Sequence, residues 1–104
     1  MTRTLRVAAA SPDIRLGEVA GNFARVRDAI ASAVADGARL VVLPELATSG
    51  YVFSDRGEAL AASVTRDDPR WEELAAALAP GTVAVVGYAE RAHGGLYNTA
   101  AVLT

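Results

Sequence analysis

Glu45 is the residue whose setting could support chemistry. It follows Leu40-Val41-Val42-Leu43-Pro44, four consecutive large apolar residues and a proline. Such a run reads as a strand buried on both faces, ended where Pro44 has no N–H to give to a ladder. In an open α/β sheet the carboxyl ends of the strands form the edge where ligand and reaction sites lie, and a carboxylate at that edge is a candidate for either. The alternative is that Glu45 caps a turn or favours a following helix N-terminus. The stretch from Ala47 to Gly57 mixes small, polar and aromatic residues without a period, the character of a functional loop. Tyr51 and Phe53 are its candidates for lining a substrate pocket. Packing of the loop onto the core is the other reading, and for Phe53 it is the preferred one.

Composition narrows the chemistry that could accompany Glu45. The chain has 104 residues, enough for one domain with a real core. Its 10 basic residues, all arginine, stand singly among 12 acidic ones for a net charge of −2. No basic face invites nucleic acid. There is no cysteine and no lysine, so a disulfide, a thiolate metal site, a cysteine nucleophile and a charge-stabilising lysine are all excluded within these residues. His93 sits in Ala92-His93-Gly94-Gly95, a turn-like setting that suits exposed punctuation better than metal ligation. No apolar run approaches the roughly 20 residues that span a bilayer, and Thr2-Arg3-Thr4 does not open a signal-like segment. The expected compartment is cytoplasmic, without membrane contact.

The elements that must position Glu45 alternate in type. Residues 4–10 are short, apolar and partly alternating, and Ser11-Pro12-Asp13 ends them as a first strand. Val19, Phe23, Val26, Ile30 and Val34 recur at helical spacing, with Gly37 placed to close the helix. A strand over 39–43 then completes a βαβ unit, which favours parallel pairing and a right-handed crossover. Glu58 to Val64 forms a short helix, and Asp68-Pro69 opens another whose inward stripe is Trp71, Leu74, Ala75 and Leu78. Trp71 reads as a core or interface anchor. Strands over 82–89 and 96–104, joined by a loop over 90–95, form an antiparallel pair. The order is β-α-β-loop-α-β-β, an α/β chain with a mixed sheet, and 1–104 forms a single, partial domain. Asn98 is expected to bond local backbone.

With these elements in place the chain resembles the nitrilase superfamily, the carbon–nitrogen hydrolases. The resemblance is carried by "LRVAAASPD", "GEVAGNFARV", "GARLVVLPELATSGY", "VVGYAE" and "YNTAAVL", in the family's order and over nearly the whole chain. It implies an αββα sandwich in which two sheets pack face to face, and pairing of subunits through helices into a homo-oligomer. It implies a catalytic triad of glutamate, lysine and cysteine with Glu45 at the glutamate position. In that chemistry the carboxylate acts as general base for a thiol that is otherwise a poor nucleophile at neutral pH. The thiol attacks an amide, carbamoyl or nitrile carbon, and the lysine stabilises the charge that develops. The implied partner is a small-molecule amide or nitrile, and no metal or organic cofactor is needed.

The lysine and cysteine would lie beyond "YNTAAVL", so the natural protein is expected to continue past Thr104, with these residues as the N-terminal portion of a hydrolase, most simply an amidase. A non-catalytic fragment or pseudo-enzyme serving as a binding or assembly module is the competing reading. A flavodoxin-like domain would share the β-α-β order, but Ser11-Pro12-Asp13 is a poor phosphate-cradling turn.

Overall fold

The computed structural model describes residues 2–104. Seven elements follow in order: β1 (Val7–Ala9), α1 (Val19–Ala35), β2 (Leu40–Val42), α2 (Arg56–Ala62), α3 (Arg70–Ala75), β3 (Val83–Ala92) and β4 (Gly95–Leu103). The four strands form one sheet in the order β1-β2-β3-β4. β1 and β2 pair in parallel, as do β2 and β3, while β3 and β4 are antiparallel. This is the mixed α/β sheet that the alternation of elements implies, with α1 as the crossover between two parallel neighbours.

The period-two alternation of the strands sorts the sheet into two unlike faces. Val41, Ala84, Val86 and Tyr88 point to one side, where they join Phe23, Val26 and Ile30 of α1 and Trp71 and Leu74 of α3 in a single buried cluster. Trp71 lies edge-on between Phe23 and Tyr88, at centroid distances of 5.0 and 4.6 Å. Its indole N–H donates to the Thr65 carbonyl at 3.0 Å, so the one polar atom of this core anchor is satisfied. On the other side Val7, Val42 and Val102 are exposed. Among the described residues no helix covers that face.

Element boundaries differ from the sequence reading for local reasons. α2 starts at Arg56 rather than Glu58, because Asp55 accepts the Glu58 N–H at 2.8 Å and caps the helix. It stops before Val64, which instead bridges β3 at Glu90 in parallel. α3 ends at Ala75, and its last stripe residue, Leu78, closes a tighter turn by donating to Ala75 O at 3.0 Å. The expected six-residue loop over 90–95 is a two-residue turn: His93 (φ 51°) and Gly94 (φ 72°) both take left-handed conformations. A turn of that hand matches the twist of the flanking strands and lets them pair almost to the tip, from Ala84↔Leu103 to Ala92↔Gly95.

Candidate active site

Glu45 leaves the sheet because the chain after β2 is two residues too long for its ladder. Leu43 N–H donates to Val85 O and Ala47 N–H donates to Gly87 O, each at 2.8 Å. Between these two rungs β3 advances two residues while the other chain advances four. Pro44-Glu45-Leu46 is therefore thrown out across the helix-free face. Pro44, at a position that faces β1, has no N–H to continue the ladder on that side, and Leu46 takes a left-handed φ of 49° to bring the chain back. A non-glycine residue there costs on the order of 1 kcal/mol, which its surroundings must offset. Beneath the excursion lies Gly87, where a Cβ would stand 2.7 Å from both the Glu45 Cα and the Pro44 carbonyl oxygen. Glycine at 87 is what allows the two backbones to approach this closely.

The excursion is braced from behind by a buried amide. Asn22, fully buried in the first turn of α1, accepts the Arg15 N–H at 2.9 Å and donates to Arg15 O at 2.7 Å and Thr48 O at 3.1 Å. Gly17 N–H adds a bond to Ser49 O at 2.9 Å. Together these tie the loop after β1, the start of α1 and the loop after Glu45 into one unit.

The carboxylate itself is held from the opposite edge. Asn98 Nδ2, on β4, donates to Glu45 Oε2 at 2.7 Å. The expectation that Asn98 bonds local backbone is thus corrected: its amide reaches a side chain 53 residues away. The reason is register, since Ala100 pairs with Gly87 and Asn98 with Ala89, which sets the Asn98 side chain beside the point where Glu45 crosses the sheet.

Two open cavities meet at Glu45. One, of about 390 Å³, is lined by Ile14, Leu16, Pro44, Gly50, Tyr51 and Glu45 itself. The other, of about 330 Å³, is lined by Leu43, Val85, Gly87, Asn98, Ala100 and again Glu45. The first is mostly apolar and the second carries the polar amide. Tyr51 therefore stands in a cavity with Glu45, exposed over 58% of its surface. Phe53 is half-buried and lines neither cavity. His93 lies exposed at the hairpin tip, in the turn its sequence setting implies.

Gly87 and Asn22 are site residues that sequence reasoning did not single out, and Asn98 was read there as structural only. Gly87 had a legible signal, a lone glycine inside a β-branched run, which marks a bulge or close approach. The two asparagines had none, because Thr48 and Glu45, which they reach, lie 26 and 53 residues away.

A family model described as carbon-nitrogen hydrolase matches residues 6–104. The chain belongs to the carbon–nitrogen hydrolase family. Among curated relatives, this hydrolase chain is 38% identical over 104 residues to a glutamine-dependent NAD(+) synthetase of Xylella fastidiosa, covering 99% of this chain and 19% of that protein. The chain thus spans about a fifth of the length of the curated relatives it matches. Solved structures agree on the fold. A CN-hydrolase superfamily protein from Xanthomonas campestris, with an arsenic adduct in its active site, superposes with a TM-score of 0.76 at 26% identity, over 99% of this chain and 37% of that one. A glutamine-dependent NAD(+) synthetase from Cytophaga hutchinsonii gives a TM-score of 0.75 at 23% identity, over 97% of this chain and 17% of that one. No helix among the described residues of this hydrolase chain is long and apolar enough to cross a membrane.

Proposed function

We propose that these residues are the glutamate-bearing part of a carbon–nitrogen hydrolase that cleaves a carboxamide, with Glu45 as general base. The observation that carries the reading is the ladder excursion. Two surplus residues between consecutive rungs, a glycine cleared beneath them and a left-handed Leu46 all serve to lift one carboxylate off the sheet. A turn needed only to connect β2 to α2 requires none of these devices. Strain held at a carboxylate between two cavities fits a reacting group better than a cap.

The nucleophilic cysteine and the lysine of the triad are supplied by chain beyond Thr104, as the 19% coverage of the Xylella protein suggests. A carboxamide is favoured over a nitrile by the name of that relative, which specifies dependence on glutamine. Glu45 then takes the thiol proton as the thiolate attacks the amide carbon. Glu45 then passes that proton to the nitrogen, which leaves as ammonia; water attacks the thioester carbon, giving its proton to Glu45, which returns it to the departing thiolate. Tyr51 lines the apolar side, where the carbon chain of the substrate would lie.

The test is substitution in the complete hydrolase. Glu45→Gln keeps the size and removes the base, so ammonia release from simple amides should fall by at least about 10²-fold with the melting temperature unchanged. Near-normal turnover would sink the assignment. The second reading, a non-catalytic binding module, draws on the absence of lysine and cysteine from these 104 residues. It would be favoured if the complete protein released no ammonia from any amide.

A further inference from the structure

We propose that Asn98 is a positioning residue that orients the Glu45 carboxylate for proton transfer; this rests on the reading of Glu45 as general base. The side-chain amide of Asn98 makes its hydrogen bond to Glu45 Oε2, at 2.7 Å, across the sheet. An ionised carboxylate only accepts, so the atom facing it must be the amide nitrogen and not the amide oxygen. No hydrogen bond among the described residues reaches Oε1. Asn98 therefore fixes one oxygen, and the proton is assigned to the other.

The choice of residue fits that task. A guanidinium or ammonium at 2.7 Å would favour the ionised carboxylate and weaken it as a base. A hydroxyl could turn to accept as well as donate. A carboxamide donates without adding charge and neither releases nor takes up a proton in the working pH range. Its two torsions also cost little entropy to hold, and its backbone is set in a nine-residue strand paired to β3 along its length. A base must sit within hydrogen-bond reach of the proton it removes, and a misplacement of about 1 Å can cost on the order of 10²-fold in rate.

Within these residues the bond adds little to the stability of the fold. Both Asn98 and Glu45 are exposed in this chain, and a hydrogen bond between exposed groups trades against water at little net gain. Loss of the amide should therefore be visible in catalysis and nearly silent in stability, the opposite of what a structural asparagine would show.

The experiment uses the complete hydrolase and three variants, Asn98→Ala, Asn98→Asp and Glu45→Gln, with kcat, KM, melting temperature and the pH profile of kcat measured for each. Asn98→Ala should lower kcat by about tenfold or more while KM stays within about twofold and the melting temperature is unchanged. Asn98→Asp supplies a carboxyl of the same shape. Two carboxylates this close cannot both be ionised without repulsion, so Glu45 is displaced at high pH. As the pH falls the new carboxyl binds a proton, donates it in a hydrogen bond to Glu45 and restores the wild-type contact. Its rate relative to wild type should rise towards acid, while the Asn98→Ala deficit stays flat. The proposal is overturned if Asn98→Ala keeps kcat within twofold of wild type, if both Asn98 variants lose rate equally at every pH, or if they unfold. Activity retained by Glu45→Gln would instead remove the general base, and the positioning role with it.

Discussion

At the scale of single residues, the site depends on what is missing from position 87 as much as on what stands at 45. A methyl group on Gly87 would meet backbone atoms at 2.7 Å, and backbone cannot swing aside as a flexible side chain would. Gly87→Ala should cost about 1–3 kcal/mol, the usual range for overpacking. It should also lower turnover of the complete hydrolase by more than the stability loss accounts for, because the carboxylate moves with its backbone. Thermal denaturation and kcat measured on the same sample separate the two effects. The strand-end placement of Glu45 was legible in the sequence because a hydrophobic run, a proline and a carboxylate are adjacent. Asn98 was not, since a bond 53 residues long has no local signature. Asn22 was hidden for the same reason: it looks like an ordinary polar residue on a helix, and only the fold brings Arg15 and Thr48 to it.

At the scale of elements, periodicity was a good guide to existence and a poorer one to ends. The α1 stripe is the clearest success, with Phe23, Val26 and Ile30 buried as their spacing requires. The hairpin was misjudged in length because Glu90-Arg91 is polar enough to pass for loop, whereas both residues are paired strand opposite Tyr97 and Leu96. The entry to α3 was expected with Asp68 as cap and Pro69 as first helical residue, whereas the helix starts at Arg70 with Pro69 at its N-cap, and its energetics can be tested. Asp68 accepts the Arg70 N–H at 2.9 Å and two guanidinium bonds at 2.9 and 2.7 Å. Its hydrogen bonds to the Arg70 side chain hold the Asp68 carboxyl below its ordinary value of 3.8, against a smaller opposing effect of burial. Because the folded value is the lower one, the stabilisation is complete above pH 3.8 and is lost as the pH falls through the folded value. Asp68→Asn keeps the capping acceptor and removes the charge. Urea midpoints taken at about pH 5 and about pH 3 should therefore differ less in the variant than in the parent chain. The opposite limb belongs to Tyr88, whose phenol is pushed up to about 12 by burial and by the Glu90 carboxylate. Its contribution is present below pH 10 and is lost as the pH rises towards 12.

At the scale of the whole molecule, the sheet is finished on one side only. The radius of gyration is 14.1 Å, above the roughly 13 Å of a compact chain of this length, because the long β3–β4 hairpin extends past the three-residue strands beside it. Val42 is 39% exposed, Val7 51% and Val102 67%, on the face that no helix covers. A chain of these residues alone should associate with itself, and sedimentation should show a concentration-dependent rise in mass. Val102→Lys together with Val42→Lys should suppress that rise; a monomer at every concentration without these changes would count against an uncovered apolar face. The two-residue surplus before Ala47 has a further consequence, which concerns deletion. Removing Glu45 and Leu46 as a pair would let Leu43 and Ala47 occupy consecutive rungs opposite Val85 and Gly87, and β2 would run on as an ordinary strand with no left-handed residue. Such a protein should still fold, without the bonds that Ser49 and Gly50 donate to Leu46 O and without the carboxylate. Removing either residue alone would leave an odd count and turn every later side chain of that strand to the wrong face. The carboxylate's place is thus written in the parity of the chain, so indels at this point should be tolerated for folding in even steps only.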